Sequence, residues 1–207
     1  MVAPLDDLPR FDGLAAGNIV IPETVDQFRN AAEQILAHPA IGFDTESKPT
    51  FKVGEVSTGP HLIQFATPDR AYLFRVGLTG CMEAAGTILE SARVLKVGFG
   101  LGSDRSRLRN RLGIELRHFI DLGTALRYQG KKGQVGLRGA AAAVLGVRVN
   151  KSRSVSTSNW ANRTLTEAQR VYAANDAYAA LQVFLALGDE PEQLLADRVI
   201  PAMPGSL

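Results

Sequence analysis

The chain has only one cysteine, Cys81, and this scarcity excludes two kinds of site. A lone thiol cannot form an internal disulfide, and it cannot supply the several cysteines of a structural zinc site. A chain without disulfides is typical of a reducing compartment, so we expect a cytoplasmic location. Histidine is also rare. His38, His61 and His118 lie at a predicted helix end, a strand start and a strand interior, and we interpret them as mainly structural.

Long apolar runs are absent as well. No uninterrupted stretch approaches the ~20 residues that span a bilayer, and residues 1–13 carry acids where a signal peptide has a basic region. The 207 residues are 45% hydrophobic and 21% charged, a balance typical of a globular protein and not of a disordered chain. We see no internal repeat. We expect a loose arm over residues 1–20 and a single domain over residues 21–207.

Positive and negative charges are distributed unevenly along the chain. The net charge of +2 conceals about −6 over residues 1–92, +12 over residues 93–170 and −4 over residues 171–207. Arginine provides 17 of the 23 basic residues. A basic middle between acidic ends indicates a polyanion-binding surface beside an acidic site, although a solvated helix face is equally consistent with this composition.

The pattern of apolar residues predicts an α/β fold. Capping boxes at Thr24 and Thr166 begin helices that run to about His38 and Leu187. Five strands are predicted, over residues 40–46, 61–67, 70–76, 94–99 and 114–122. Shorter helices are predicted over residues 82–91, 104–112, 122–128 and 137–145 and from about residue 191, with a basic loop over residues 148–163. The first three strands are closely spaced and form an antiparallel meander, whereas helices separate the later strands, which pair in parallel. We expect a mixed five-stranded sheet with helices on both faces.

Asp44 and Glu46 end the first of these strands. Residues two apart on a strand project to the same face, so the two carboxylates point the same way beside a buried sheet. Adjacent carboxylates repel each other, and a divalent cation such as Mg²⁺ or Mn²⁺ relieves that repulsion. The alternative is a strand end that simply meets water, because so short a pattern often occurs by chance.

Tyr172 and Asp176 are four residues apart on the long final helix and therefore share a face. The acid is a candidate metal ligand, with a phenol one turn away to hold a water. The alternative is an ordinary half-buried tyrosine beside a solvated aspartate. Asp104 follows a predicted strand and a glycine-containing turn, at the sheet edge where open α/β sheets bind ligands, although an acid in a first helical turn also has a structural explanation. We interpret Asp121, another strand-end acid, as structural.

Taken together, these residues resemble a known family. Asp44, Glu46, Asp104, Tyr172 and Asp176 occur in the order and context of the DEDD superfamily of 3′–5′ exonucleases, in the subgroup that carries a tyrosine. The flanking segments are similar to the RNase D and Werner-type exonuclease branch, over residues 43–46 (FDTE), 62–66 (LIQFA), 96–100 (KVGFG), 158–160 (SNW) and 165–178. The resemblance spans residues 24–188. Ser47 and Thr164 depart from it, where a large apolar residue and a proline are frequent.

The resemblance implies an RNase H-like fold and two divalent metal ions, Mg²⁺ or Mn²⁺, roughly 4 Å apart. Asp44, Glu46 and Asp176 would hold the first ion. Asp44 would bridge to the second ion, with Asp104 contributing through water. Tyr172 would orient the attacking water, and the product would be a 5′-mononucleotide. No extra helical domain or helicase accompanies these motifs, so we expect a standalone nuclease domain.

The basic segment then acquires a role in nucleic-acid binding. Arginine and lysine contact phosphates in a sequence-tolerant, salt-dependent way. The candidate contacts are Thr45, Arg105, Lys151, Arg153, Trp160 and Arg163. Trp160 would stack on a base, but a role as a core anchor before the final helix is favoured for it.

Two functions from different classes are consistent with these observations. The leading one is a metal-dependent 3′–5′ exonuclease acting on single-stranded DNA or 3′ overhangs, with RNA 3′-end trimming as the alternative substrate. Residues 96–104 and 158–178 are slightly more similar to Werner-type enzymes than to RNase D, which favours DNA. The other function is a non-catalytic nucleic-acid-binding module. A degenerate relative would be expected to lose at least one acid, and none is missing here.

Overall fold

The computed structural model describes residues 5–50, 54–129, 133–150, 152–188 and 198–200. The strands are β1 (Ile19–Val20), β2 (Ala40–Glu46), β3 (Leu62–Ala66), β4 (Ala71–Arg75), β5 (Leu95–Gly98), β6 (Phe119–Asp121), β7 (Leu126–Tyr128) and β8 (Arg198–Ile200). The helices are α1 (Val25–Leu36), α2 (Cys81–Leu89), α3 (Leu101–Arg107), α4 (Leu122–Ala125), α5 (Leu137–Ala140), α6 (Arg153–Ser156) and α7 (Glu167–Leu187). Single π-helical turns, Leu108–Leu112 and Ala141–Leu145, continue α3 and α5.

The main sheet is mixed, with the strand order β1-β4-β3-β2-β5-β6. Strands β2, β3 and β4 form the predicted antiparallel meander, and β5 and β6 continue the sheet in parallel from β2. The expected five strands are present, but the expected number is wrong because Ile19 and Val20 add a sixth strand, parallel to β4. Two residues are too few to carry a recognisable alternation of apolar and polar side chains.

The N-terminal segment is docked on the domain. The prediction of a loose arm is therefore wrong for residues 5–20. Two short 3₁₀ turns, Leu5–Asp7 and Ala16–Asn18, lead into β1, and Arg10 forms a parallel bridge with Arg148. The boundary at residue 20 stays a prediction.

Helices cover both faces of the sheet, as predicted. On one face, α1 and α2 pack against the aromatic side chains Phe43, Phe65 and Phe74, all fully buried. On the other face, α7 packs against Leu62 and Leu73 with its small residues. Alternate strand residues point to opposite faces, which is why each strand feeds both layers. Among the described residues, no helix combines the length and the apolar character that a membrane-spanning segment needs.

Several boundaries differ from the sequence predictions. The strand predicted over residues 114–122 is confined to Phe119–Asp121, and the helix predicted over residues 122–128 is α4 followed directly by β7. Strand β7 pairs in parallel with β8, in a second, two-stranded sheet. Such pairing depends on a distant segment and leaves little local signal. The basic loop over residues 148–163 contains α6, and the helix predicted from residue 191 lies largely outside the described residues.

Candidate active site

The end of β2 and the middle of α7 bring three carboxylates together. Asp44 and Glu46 are half-buried at the end of β2, and Asp176 on α7 is 5% exposed. One carboxylate oxygen from each of the three residues lies within 4.8 Å of the other two. Side chains from two elements 130 residues apart in sequence thus form one oxygen-rich cluster, which we call the carboxylate cluster.

A close approach of α7 to β2 makes this meeting possible. Gly42 lies under α7, and a Cβ atom at this position would collide with the backbone carbonyl of Ala177. Ala173 and Ala177 are fully buried on the same helix. Glycine and alanine allow the helix and strand backbones to pack closely, so the carboxylate of Asp176 reaches the end of the strand. The capping box at Thr166 begins the helix, as predicted.

Asp104 lies beside the cluster but is not one of the three clustered acids. It is on α3, immediately after β5, and is 5% exposed. Its Oδ1 accepts a hydrogen bond from the Thr45 hydroxyl and lies 4.0 Å from the Arg107 guanidinium. Thr45 points to the face of β2 opposite Asp44, so Asp104 approaches the strand from that side. It nevertheless contributes to the field at Asp44, whose pKa it helps to raise.

Tyr172 lies one turn before Asp176 and borders the same cluster. Its ring packs against Trp160, with 6.0 Å between ring centroids, and the residue is 9% exposed. Burial, together with the charge of Asp176 and then of Glu46, raises the pKa of the Tyr172 phenol. The hydroxyl therefore stays protonated near neutral pH and is a hydrogen-bond donor at the edge of the cluster.

The electrostatics of the cluster favour a bound cation. Burial raises the pKa of Asp44 well above its ordinary value, and the charges of Asp176, Asp104 and Glu46 raise it further. Burial likewise raises the pKa of Asp104. Carboxylates that are costly to ionise together become favourable ligands when a divalent ion supplies the opposing charge.

Gln64 is a further functional candidate, beyond those predicted from the sequence. It lies directly opposite Asp44 in the β2–β3 ladder and is fully buried. Neither its amide nitrogen nor its amide oxygen has a hydrogen-bond partner among the described residues. Buried polar groups are normally paired, and a water bound to a divalent ion at the neighbouring cluster would donate a hydrogen bond to the amide oxygen. The donor set and this amide fit an oxygen-coordinated divalent ion. In the sequence, Gln64 could have been recognised as a polar residue within an otherwise apolar strand.

The candidate nucleic-acid contacts divide into exposed and buried residues. Arg105, Arg153 and Arg163 are exposed. The Arg105 guanidinium lies 3.4 Å from the Glu115 carboxylate and 5.7 Å from the centre of the Phe119 ring. Lys151 lies outside the described residues.

Trp160 requires correction as a nucleic-acid contact, and Thr45 is also buried. Trp160 is 2% exposed, and its indole nitrogen donates to the Ser156 carbonyl at 3.2 Å, so its ring has no free face on which a base could stack. It has the role of core anchor that the sequence favoured. Thr45 is 8% exposed, and its hydroxyl is engaged by Asp104. The side chain therefore positions that acid, and its role as a nucleic-acid contact stays a prediction.

Asp121 has the structural role predicted for it. One of its carboxylate oxygens accepts hydrogen bonds from the backbone N–H groups of Gly100 and Gly123, both at 2.9 Å. His61 is similarly engaged: Nδ1 accepts from the Lys48 N–H at 3.1 Å, and Nε2 lies 3.2 Å from the Thr58 hydroxyl. Burial and the neighbouring Lys48 lower the pKa of His61. Both residues hold loops near the sheet edge.

Comparison with known proteins places this geometry in a family. A sequence model of the 3′–5′ exonuclease family matches residues 19–192, which include the whole carboxylate cluster, Asp104 and Tyr172. The chain belongs to the 3′–5′ exonuclease family. The resemblance to tyrosine-carrying DEDD exonucleases is thereby confirmed. This family uses divalent metal ions, and the carboxylate cluster of this exonuclease-family domain is compatible with them.

Among curated relatives, the domain is 31% identical over 151 residues to the mouse bifunctional 3′–5′ exonuclease/ATP-dependent helicase WRN. The match covers 72% of this chain and 11% of the mouse protein, so the chain spans about a tenth of that relative's length.

Two solved structures confirm the RNase H-like fold. The EXO domain of Nibbler from Aedes aegypti superimposes with a TM-score of 0.70 at 24% identity, covering 88% of this chain and 91% of that one. RNase D from Trypanosoma brucei, in complex with RNA U12, superimposes with a TM-score of 0.71 at 21% identity, covering 84% and 63%. At these identities the likeness concerns the fold.

Proposed function

We propose that this domain is a metal-dependent 3′–5′ exonuclease that removes nucleotides one at a time from the 3′ end of a nucleic-acid strand as 5′-mononucleotides. The observation that carries the proposal is the meeting of Asp44, Glu46 and Asp176 within 4.8 Å in a member of this family. The protonated phenol of Tyr172 borders the same cluster.

We assign to each acid the role that the family resemblance implies. Asp44, Glu46 and Asp176 would hold one divalent ion, and Asp44 would share a second ion with Asp104, which acts through water. When bound, the pair of ions, Mg²⁺ or Mn²⁺, supplies a nucleophilic water near neutral pH and neutralises the charge that develops on the phosphate oxygens. The half-buried setting strengthens these interactions, because fewer solvent dipoles compete with the carboxylates.

Tyr172 and Thr45 are proposed to orient the attacking water and the Asp104 carboxylate, respectively. The Tyr172 hydroxyl donates a hydrogen bond to the attacking water and so aims it at the phosphorus atom. The pKa of the phenol is raised, which keeps this donor protonated throughout the neutral range. Thr45 donates to Asp104 and so keeps that carboxylate directed at β2. Such orientation lowers the entropic part of the barrier, because the reacting groups are already held in place before the reaction begins.

The basic middle segment is proposed to bind the strand. Residues 93–170 carry a net charge of about +12. The exposed guanidinium groups of Arg153 and Arg163 precede the helix that carries Tyr172, and Arg105 follows Asp104 directly. Contacts between such groups and phosphates do not depend on sequence and weaken as salt rises.

We further propose that the substrate strand is DNA and not RNA. Residues 96–104 and 158–178 are slightly more similar to Werner-type enzymes than to RNase D, and this similarity favours single-stranded DNA or 3′ overhangs. RNA 3′-end trimming is the second candidate, and it is supported by the likeness in fold to an RNase D that was solved with RNA. Discrimination between the two depends on whether the pocket reads the 2′-hydroxyl.

Degradation of 5′-labelled DNA and RNA strands of the same sequence, with Mg²⁺ or Mn²⁺, tests both parts. We expect a ladder that shortens from the 3′ end, and Asp44→Asn should abolish it. Asp26→Asn is the matched control, because it removes one exposed carboxylate on α1 and should leave the ladder unchanged. Persistent activity in Asp44→Asn would exclude the proposed site. Strong binding without turnover in either metal would instead support a non-catalytic binding module.

A further inference from the structure

The segment before β1 is fixed to the domain at one end by residue 148. The N–H of Arg148 donates to the Pro9 carbonyl at 2.8 Å, and the N–H of Phe11 donates to the Arg148 carbonyl at 3.0 Å. The Arg148 guanidinium also lies 3.3 Å from the Asp6 carboxylate. Residues 9–14 are therefore held in a defined path, and we call them the N-terminal strap.

The other end of the strap is fixed to α7 beside the carboxylate cluster. Asn175 directly precedes Asp176, and its Oδ1 accepts a hydrogen bond from the Leu14 N–H at 3.2 Å. Gly13 packs so closely on the Asn175 side chain that a Cβ atom would collide with it, and its φ of +65° also favours glycine. The strap thus contacts the residue next to a proposed metal ligand.

A cleft lies between the strap and α7. It has a volume of about 230 Å³ and is lined by Phe11 of the strap, by Val149 and Val155, and by Val171 and Tyr172 of α7. Asn150, Ser152 and Asn175 add amide and hydroxyl groups. Tyr172 and Asp176 line this cleft and also belong to the proposed active site, so the cleft lies directly beside the carboxylate cluster.

The chemistry of the cleft matches one kind of occupant. A nucleobase has apolar, aromatic faces and a polar edge. Phe11 is half-buried, Val171 is 37% exposed, and both line the cleft, so aromatic and aliphatic surfaces face one space. Stacking on such surfaces accepts any base, whereas neighbouring amides and hydroxyls can bond to its edge.

We propose that this cleft binds a base from the last two nucleotides of the substrate strand, with Phe11 of the strap as its outer wall. The inference rests on the proposed exonuclease function, since the strand in question is the exonuclease substrate. It assigns a substrate contact to Phe11, which precedes β1 and lies outside the carboxylate cluster, and it gives the docked strap a function beyond stability.

The experiment measures strand binding in EDTA, so that hydrolysis does not interfere. Labelled single strands carry either all their bases or one abasic site, at the last or the next-to-last nucleotide. For the wild-type chain, removal of the base at one of these two positions should weaken binding about tenfold. In Phe11→Ala the same removal should change binding by less than about twofold. With metal, Phe11→Ala should raise KM and leave kcat nearly unchanged.

Two further variants separate base contact from strap stability. Leu14→Ala truncates a strap side chain outside the cleft, and it should retain the wild-type dependence on the base. Phe11→Leu keeps apolar volume without the ring and gives an intermediate dependence, so it decides the matter if Phe11→Ala does not fold. A wild-type dependence on the base in both Phe11 variants would overturn the inference, as would the absence of any dependence in the wild type. Failure of the wild type to hydrolyse any strand would instead overturn the exonuclease proposal, and the binding comparison would remain decisive.

Discussion

Gln64 lies directly opposite Asp44 across the β2–β3 ladder, and both are on the sheet face that α7 covers. Side chains so placed have Cβ atoms roughly 5 Å apart. The Gln64 side chain is fully buried, and neither polar atom of its amide has a partner among the described residues. The sheet thus holds an uncommitted hydrogen-bonding group next to a proposed metal ligand.

Gln64→Met should separate the contribution of this amide from that of its volume. Methionine fills similar space without the amide, so metal-free stability should be unchanged or higher by about 1 kcal/mol. Metal affinity and activity should fall about tenfold, as is usual when a group supporting a metal ligand is lost. The measurements are thermal unfolding with and without Mn²⁺ and the rate as a function of Mn²⁺ concentration. Leu73→Met, on the next strand at the same level, is the control. Wild-type metal dependence in Gln64→Met would show that the amide is only a packing element.

Thr45→Val should destabilise the protein and slow catalysis together. The substitution preserves shape but leaves the 5%-exposed Asp104 carboxylate without the Thr45 hydroxyl. We expect a loss of about 1–3 kcal/mol in the free energy of unfolding. Denaturant unfolding and a rate measurement test this. Thr87→Val removes an exposed hydroxyl that bonds only within its own helix, and it should cost less than about 0.5 kcal/mol. Equal losses in the two variants would refute the role given to Thr45.

Tyr172→Phe should impair the reaction without unfolding the domain. The ring that packs against Trp160 is kept, and only the hydroxyl at the carboxylate cluster is lost. If that hydroxyl positions the attacking water, kcat should drop about 10²-fold with little change in KM. Tyr72→Phe, which removes a hydroxyl bonded to Gln34 at 2.8 Å, should leave kcat unchanged. A normal kcat in Tyr172→Phe would remove the phenol from the mechanism.

Metal binding should stabilise the protein more strongly as pH rises. The pKa of Asp44 is raised in the folded, metal-free chain, so the folded state binds a proton more tightly than the unfolded state does. Metal-free stability therefore falls as pH rises through this raised pKa, whereas a divalent ion needs the deprotonated carboxylate. The increase in Tm caused by Mn²⁺ should be larger at pH 8 than at pH 5.5. Without metal, Asp44→Asn should be more stable than wild type at pH 8 by at least ~1 kcal/mol, with a smaller difference at lower pH. An Mn²⁺ effect independent of pH would contradict this account.

Lys96 should give the protein a distinct alkaline response. Its ammonium group is buried and donates to the carbonyls of Ser91 and Val94, at 2.6 and 2.9 Å, and burial lowers the pKa of Lys96 to about 8. The unfolded chain keeps the proton to about pH 10.5, so the unfolded state binds more protons between these values. Stability should therefore rise with pH in this window, by about 2–3 kcal/mol relative to Lys96→Met. Denaturant titrations from pH 7 to pH 10.5 measure the difference, with Lys48→Met as an exposed control. A constant difference across the window would show that Lys96 stays charged.

Much of the architecture was accessible from local patterns. The capping boxes at Thr24 and Thr166 begin their helices where predicted, and β2 occupies the predicted residues 40–46. Caps and the alternation of apolar residues act over a few positions, so a linear sequence retains them. The acids were also identifiable, because each follows or lies within such an element and their order resembles one family.

Long-range packing explains what the linear pattern could not show. Strand β7 pairs with β8, some 70 residues away, and the residues before β1 dock on α7 because Gly13 and Leu14 meet Asn175. Gln64 becomes notable only because the register places it opposite Asp44. A side chain's neighbours across a sheet depend on register and on which helix covers it. Those are properties of the assembled layers, since they arise from contacts between segments that no short window of sequence contains.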